Sequence, residues 1–181
     1  MIITTGSLKF KNIKTFKKPD LRPTSSKVRQ ALFNILRHKF KVNQWKGDIF
    51  FLDAFAGTGI VSFEALSRGI FKVTMIEKDL FSYKKILENI NYLKVLEKTT
   101  ILNEDFFKVN FFPYRYHLVY LDPPYYKNLA SLAIDKIIDC GILKEKGLII
   151  CETEKSFKFN SKIDKYVDYT KAYGSIKLTF L

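Results

Sequence analysis

Leu118-Val119-Tyr120-Leu121-Asp122-Pro123-Pro124-Tyr125 is an apolar run that ends in a carboxylate, two prolines and an aromatic ring. The run before Asp122 is short and continuous in apolar residues, where a strand with one wet face would alternate, so it predicts a buried strand of a parallel sheet. Pro123 and Pro124 end that strand. Neither has an amide proton to give to a ladder and each fixes its own φ, so the chain leaves the sheet as a stiff arch with its carbonyls facing outward. In an open α/β sheet, ligands sit in the crevice beyond the carboxyl ends of the strands, which is where this arch hangs.

Working outward from the arch, strand and helix patterns alternate. Ile49 to Ala54 reads as a strand, Ile60 to Arg68 as a helix ended by Gly69, and Phe71 to Ile76 as a second strand. Asp79 is placed to cap a helix whose apolar positions Tyr83, Ile86, Leu87, Ile90 and Leu93 keep a helical period. Thr99 to Leu102 is a third strand and the arch closes the fourth. Leu129 to Asp139 is helical, and Gly147 to Cys151 is a fifth strand. Tyr166 to Leu181 reads as two strands around Ala172-Tyr173-Gly174. The alternation predicts an α/β fold, a mostly parallel sheet with helices on both faces.

The chain ahead of this pattern has a different character. Residues 1 to 46 hold 12 Lys or Arg against a single acid, Asp20, a net of +11, whereas 47 to 181 hold 19 bases and 17 acids. Nearly all of the chain's net charge of +13 therefore sits in a small basic extension, with residues 47 to 181 as the second unit. Its cations, Lys9, Lys11, Lys14, Lys17, Lys18, Arg22, Lys27 and Arg29, alternate with Phe10, Ile13 and Phe16, the footprint expected for a polyanion such as RNA. Residues 1 to 18 read as a hairpin or arm broken at Gly6 and anchored by Phe10, Ile13 and Phe16. Arg22-Pro23-Thr24-Ser25 then opens a helix with Thr24 or Ser25 as cap. On that helix Val28, Ala31, Leu32, Ile35 and Leu36 form the packing face, and Lys27, Arg29, Gln30, Asn34 and Arg37 point elsewhere, toward phosphate.

With 47% hydrophobic residues in 181, the chain can bury one substantial core. No signal-peptide pattern and no run of membrane-spanning length is present, so a cytoplasmic protein with no membrane partner is expected. Cys140 and Cys151 are too few for a disulfide framework or a zinc site, and His38 and His117 stand alone; all four read as structural, and no metal is expected.

The arch suits one chemical problem, the methylation of an exocyclic amine on a nucleobase, whose nitrogen lone pair is delocalised into the ring. The Asp122 carboxylate and the Pro123 carbonyl can both accept hydrogen bonds from the amine, favouring a tetrahedral nitrogen as positive charge develops. Pro124 stiffens the arch, and Tyr125 offers a flat face for a base taken out of its stack. As plain punctuation, the same four residues would be a strand-ending turn.

Three loops at strand ends carry what a nucleoside cofactor needs. The turn Asp53-Ala54-Phe55-Ala56-Gly57-Thr58-Gly59 lets backbone amides approach a ligand. Glu77, 18 positions after Gly59, ends the next strand where a carboxylate can bind both ribose hydroxyls, with Lys78 beside it. Asp105, with Phe106 beside it, is positioned to accept a hydrogen bond from an adenine amine. A dinucleotide oxidoreductase shares the first two features, but Ser62 stands where its third glycine belongs. A P-loop is excluded because no Gly-Lys-Ser or Gly-Lys-Thr occurs. S-adenosyl-L-methionine remains.

Arg22-Pro23-Thr24 leading into Val28-Arg29-Gln30-Ala31-Leu32-Phe33-Asn34-Ile35-Leu36, with Asp53-Ala54-Phe55-Ala56-Gly57-Thr58-Gly59, Glu64-Ala65-Leu66-Ser67-Arg68-Gly69, Glu77-Lys78-Asp79 and Leu121-Asp122-Pro123-Pro124-Tyr125, closely resembles the RsmD-type 16S ribosomal RNA guanine-N2-methyltransferases. The resemblance spans approximately Met1 to Glu152 and implies a Rossmann-like class I methyltransferase with a seven-stranded sheet and a small RNA-binding extension. It implies a cofactor held by Asp53, Phe55 to Gly59 and Glu77, the target amine at Asp122 to Tyr125, and one guanine of 16S ribosomal RNA as substrate. That RNA is expected within the small ribosomal subunit or an assembly intermediate, bound by a monomer. Lys9, Lys11, Arg22, Thr24, Lys27 and Arg29 are the expected RNA contacts. The arm Leu8-Lys9-Phe10-Lys11-Asn12-Ile13 departs from the family in lacking its usual glycine and arginine. Two other classes share parts of this pattern: a DNA adenine-N6-methyltransferase and a non-catalytic RNA-binding assembly protein.

Overall fold

In the computed structural model, residues 1–15, 25–45, 47–124 and 128–181 are described. Phe16, Lys17, Lys18, Arg22, Pro23, Thr24 and Tyr125, named above, lie outside the described residues. The helix α1 (Ser26–His38) precedes an alternating series: β1 (Phe50–Asp53), α2 (Ile60–Ser67), β2 (Lys72–Ile76), α3 (Leu80–Leu93), β3 (Thr99–Leu102), β4 (Tyr116–Leu121), α4 (Leu129–Asp139) and β5 (Leu143–Glu154). A short α5 (Ser161–Asp164) and the strands β6 (Tyr169–Tyr173) and β7 (Ile176–Phe180) complete it.

One seven-stranded sheet results, in the order β3-β2-β1-β4-β5-β7-β6. Pairings among β1 to β5 are parallel, and β7 inserts antiparallel between β5 and β6. The chain moves outward from β1 through β2 to β3, then returns to the other side of β1 as β4. The crevice above β1 and β4 is thus the point where strand order reverses, the place where such sheets bind ligands.

The continuous apolar run of β4 is explained by its two covered faces. Leu118 and Tyr120 join a core with α1, α2 and α3, while Val119 and Leu121 join a second core with α4. Phe51 and Leu52 of β1 divide in the same way, as the period of two requires. The fifth strand is longer than Gly147 to Cys151. It starts at Leu143, opposite Tyr116, and its register against β4 shifts before Leu118 pairs with Leu148. Lys146 lies at φ 61, and a Cβ on Gly147 would stand 2.8 Å from the Lys144 carbonyl, so the glycine marks an irregularity inside the strand, not its beginning.

The amino-terminal segment is a hairpin closed by bonds from Ile3 N–H to the Lys11 carbonyl at 3.0 Å and from Ile13 N–H to the Met1 carbonyl at 2.8 Å. Ile3 and Ile13 anchor it in the first core beside Val28 and Leu32. Phe10 does not: it is 75% exposed, because the turn directs its ring to solvent. Ser25 caps α1, accepting from the Val28 amide. The packing face of α1 is Val28, Leu32, Phe33 and Leu36, and it includes Arg29. Arg29 is therefore corrected from a phosphate-facing cation to a buried one, 2% exposed, whose guanidinium donates to the Ile2 carbonyl at 3.0 Å.

Candidate active site

Parallel pairing sets Asp53 opposite Tyr120, so the turn after β1 and the arch after β4 leave neighbouring strands at the same edge. The turn is fixed from both sides. Ala54 N–H reaches the Tyr120 carbonyl at 3.1 Å, and Ala56 N–H reaches the Ile76 carbonyl at 3.0 Å. Gly59 is required twice over: its φ is 75, and a Cβ there would stand 2.9 Å from the Phe63 ring and 3.3 Å from the Met75 sulfur.

Glu77 closes this turn onto β2. Its carboxylate accepts from the Gly57 amide and from the Asp79 amide, each at 2.8 Å. Asn103, which sequence reasoning passed over, donates to the Glu77 carbonyl at 2.8 Å and the Lys78 carbonyl at 3.2 Å, and so ties the end of β3 to the end of β2. Asp79 caps α3 by accepting from the Ser82 amide at 2.9 Å. Asp105 accepts from the Phe107 amide at 2.9 Å and opens a short 3-10 turn over Phe106–Lys108.

Phe55, Gly57, Glu77 and Asp105 are half-buried and Lys78 is exposed, so these residues front the crevice. Asp53, Ala56, Thr58 and Gly59 are buried behind them. Phe106 is also behind: its ring, 2% exposed, packs 5.3 Å from Phe55 and 5.5 Å from Phe111. The ring supports the crevice from behind, so the cofactor contact proposed for Phe106 falls to its backbone. Lys136 secures this aromatic wall by donating to the Phe107 and Val109 carbonyls at 2.8 and 2.9 Å.

Asp53 is 1% exposed, and its carboxylate accepts from the Ser62 hydroxyl at 2.8 Å. Ser62, the residue that breaks the dinucleotide fingerprint, thus has a positive role in the first turn of α2. Burial pushes the Asp53 carboxyl up to about 7, opposed by the Ser62 bond and assisted by the nearby charge of Glu77.

Across the crevice, Asp122 is half-buried, Pro123 is buried and Pro124 is exposed. Beneath them lies a pair with no sequence signal, the Tyr120 hydroxyl donating to the Glu152 carboxylate at 2.7 Å with both residues buried. On the adjoining strand, Cys151 has its thiol raised first by burial and then by the charges of Asp122 and Glu152, consistent with an inert core thiol.

Glu64 and Ser67 on α2 explain the Glu64 to Gly69 stretch. The buried Glu64 carboxylate accepts from the Thr4 amide at 2.9 Å, the Thr4 hydroxyl at 2.7 Å and Arg68 Nε at 3.0 Å. Ser67 accepts the Leu8 amide on its hydroxyl and the Ser7 amide on its carbonyl. Any Cβ on Gly6 would collide with the Ser67 carbonyl, 1.7 Å away. The stretch is the socket of the hairpin. At the other end of α2 the Thr58 hydroxyl donates to the Met1 thioether at 3.7 Å, so the hairpin runs along the helix to the glycine turn. Of the expected RNA contacts, Lys9, Lys11 and Lys27 are exposed, while Arg22 and Thr24 lie outside the described residues.

Comparison with known proteins agrees with this architecture. The family model "Conserved hypothetical protein 95" matches residues 1–181. The ribosomal RNA small subunit methyltransferase D of Haemophilus influenzae is 34% identical over 157 residues, 84% of this chain and 78% of that protein. A conserved hypothetical protein of Streptococcus pyogenes superposes with a TM-score of 0.72 at 30% identity, covering 84% of this chain and 93% of its own. An RNA methyltransferase from Salinibacter ruber in complex with S-adenosyl-L-homocysteine shares the fold, with a TM-score of 0.62 at 16% identity over 88% of this chain and 92% of its own. The sheet order, the crevice at its reversal point and the match along the whole chain place this protein in the conserved hypothetical protein 95 family, the RsmD-type methyltransferases.

Proposed function

We propose that the protein transfers a methyl group from S-adenosyl-L-methionine to the exocyclic N2 amine of one guanine in 16S ribosomal RNA. The observation that carries this reading is the acid-bearing Pro-Pro arch at the end of β4, set beside the Glu77-clamped glycine turn in a chain of this family. The residues fit the cofactor. Glu77 holds its carboxylate at the mouth of the Gly57 turn, where it can exchange an amide for ribose hydroxyls, and Asp105 stands on the next strand end. The bound cofactor supplies an electrophilic methyl on a sulfonium centre. Asp122 and the Pro123 carbonyl hold the amine hydrogens and turn the nitrogen lone pair out of the ring plane. As nitrogen becomes cationic, its bonds to an anionic acceptor strengthen more in the transition state than in the ground state, which is what accelerates a chemical step. The amine proton then passes to solvent water, restoring the planar, neutral guanine. Tyr125 stacks on the extruded base, and the exposed cations Lys9, Lys11 and Lys27 engage phosphates. The test is nucleoside mass mapping of small-subunit RNA incubated with protein and methyl donor. Methyl on guanine N2 is the expected result; methyladenine, or methylation of DNA in its place, overturns the assignment.

A further inference from the structure

Phe10 combines two features that stability alone does not explain. It is 75% exposed, so its ring contributes almost no burial to the fold. Its φ is 68, in the left-handed region where a bulky L-residue is an outlier and glycine carries no Cβ penalty. The conformation is held by the hairpin around it: Phe10 N–H donates to the Ile3 carbonyl at 2.9 Å, and Lys11 N–H donates to the Leu8 carbonyl at 3.1 Å. Strained backbone of this kind persists where the surroundings over-determine it, and it clusters at ligand-contacting positions. Tyr114 shares the exposure and the sign of φ, but it leads directly into β4 and lies outside the basic extension.

Positive charge lies against the Phe10 ring. The Lys9 ammonium lies 4.6 Å from its centroid, and Lys11 follows on the exposed strand of the hairpin. An exposed flat ring with one cation against it and a second next along the chain matches the two halves of a single-stranded nucleotide, a base with a π face and a phosphate. The hairpin that carries it docks along α2, its Ser7–Leu8 tip at Ser67 and its Met1 end against Thr58 of the glycine turn, so an RNA strand crossing Phe10 at the tip follows the length of the helix to reach the crevice. We infer that Phe10 is a stacking platform for an unpaired base of the RNA substrate, with Lys9 and Lys11 on the phosphates either side. This rests on the RNA-methyltransferase reading and adds to it a contact remote from the target base.

The full-length protein tests this with a labelled single-stranded oligoribonucleotide and the blunt duplex of the same strand, both followed by fluorescence anisotropy. Phe10→Gly removes the ring and relieves the backbone, so its thermal midpoint is expected to hold or rise. Its affinity for the single strand is expected to fall about 5- to 150-fold, the worth of one base stacked on an aromatic ring. Duplex affinity falls far less, because only the two terminal pairs offer a free face. The salt dependence also keeps its slope, since a ring releases no counterions. Phe10→Leu, which keeps the bulk and the strain, loses affinity as the glycine variant does, and Phe10→Trp retains it. Wild-type affinity in Phe10→Gly overturns the proposal, as does a lowered midpoint with equal loss on both probes, which would mean that the ring is structural. Should the wild-type protein bind neither probe and methylate no small-subunit RNA, the underlying reading fails and the platform with it. Should the wild type methylate while Phe10→Gly binds normally, only the platform fails.

Discussion

Asp53 and Asp122 sit at the ends of adjacent central strands, and their surroundings assign them different work. Asp122 is half-buried on the arch, where the proposed reaction needs an acceptor for an amine. Asp122→Ala is expected to slow methyl transfer by a hundredfold or more, about 3 kcal/mol, with cofactor affinity retained. Single-turnover rates at saturating methyl donor measure this, and a wild-type rate would remove Asp122 from the chemistry. Asp53, by contrast, is sealed behind the turn with a carboxyl raised from 3.8 to about 7. Between those values the folded chain keeps a proton that the unfolded chain has lost. Ionisation therefore opposes folding, and the Asp53 contribution makes stability fall as pH rises from about 4 to about 7, by at most about 4 kcal/mol, and then level off. Asp53→Asn cannot ionise and keeps an acceptor for Ser62. It is expected to be more stable relative to wild type at about pH 8 than at about pH 4, and parallel thermal-midpoint curves across that range would show that Asp53 is charged throughout. The sequence displayed Asp53, Glu77 and Asp122 because each ends an apolar run. It did not display Ser62, Asn103 or the Tyr120–Glu152 pair, since each owes its role to a partner brought up by the fold: Ser62 nine residues from its own, Asn103 and the pair more than twenty.

The elements of the sheet were legible where periodicity is strong, and Thr99–Leu102 and Leu129–Asp139 have the bounds that pattern alone assigns. Two features were not. Leu143 to Lys146 mixes apolar and charged residues without clean alternation, so the early part of β5 carried no strand signal until its pairing with β4 supplied one. The face of α1 differs from its sequence reading at Arg29, because a guanidinium counts as polar in any periodicity even where a neighbouring carbonyl accepts it and the charge of the buried Glu64 favours it. The hairpin is the element on which this matters most. Ile3 and Ile13 lie in the main core and Glu64 receives Thr4 and Arg68, so the extension is part of the folded unit's packing. Deleting residues 1 to 20 is accordingly expected to lower the thermal midpoint by exposing that core, and to blunt RNA binding only as one consequence among several. Glu64→Ala isolates the socket. It leaves the Arg68 guanidinium and the Thr4 amide without their acceptor, a loss of roughly 3 kcal/mol for a buried charged group. Thermal unfolding together with hydrogen exchange at Thr4 reads this directly, and an unshifted midpoint would show that the hairpin is held by its isoleucines and its bonds to Ser67 and Arg29 without Glu64.

At the scale of the molecule, charge is segregated: a net of +11 in residues 1 to 46 against +2 in the rest. The fold partly spends this charge internally. Arg29 is buried, Lys14 pairs with Glu88 at 3.6 Å and Lys39 with Asp168 at 3.3 Å, so the cations available to a polyanion are fewer than the sequence count. Lys9 and Lys11 remain on the exposed hairpin and Lys27 on the first turn of α1. Each phosphate neutralised by such a cation releases condensed counterions, which gives a slope of about −0.7 to −0.9 per contact in the logarithm of affinity against the logarithm of salt. Wild-type affinity for RNA is expected to fall steeply with salt. The pair Lys9→Ala with Lys11→Ala is expected to flatten that slope by about 1.4 to 1.8, while the thermal midpoint stays near wild type because neither side chain is buried. Arg29→Met behaves in the opposite way: it alters stability through the buried network and leaves the slope intact, because that guanidinium faces the Ile2 carbonyl and no phosphate. Anisotropy titrations of the three proteins over a salt series separate the two kinds of cation. A slope unchanged in the double lysine variant would move the RNA path off the hairpin and onto some other face.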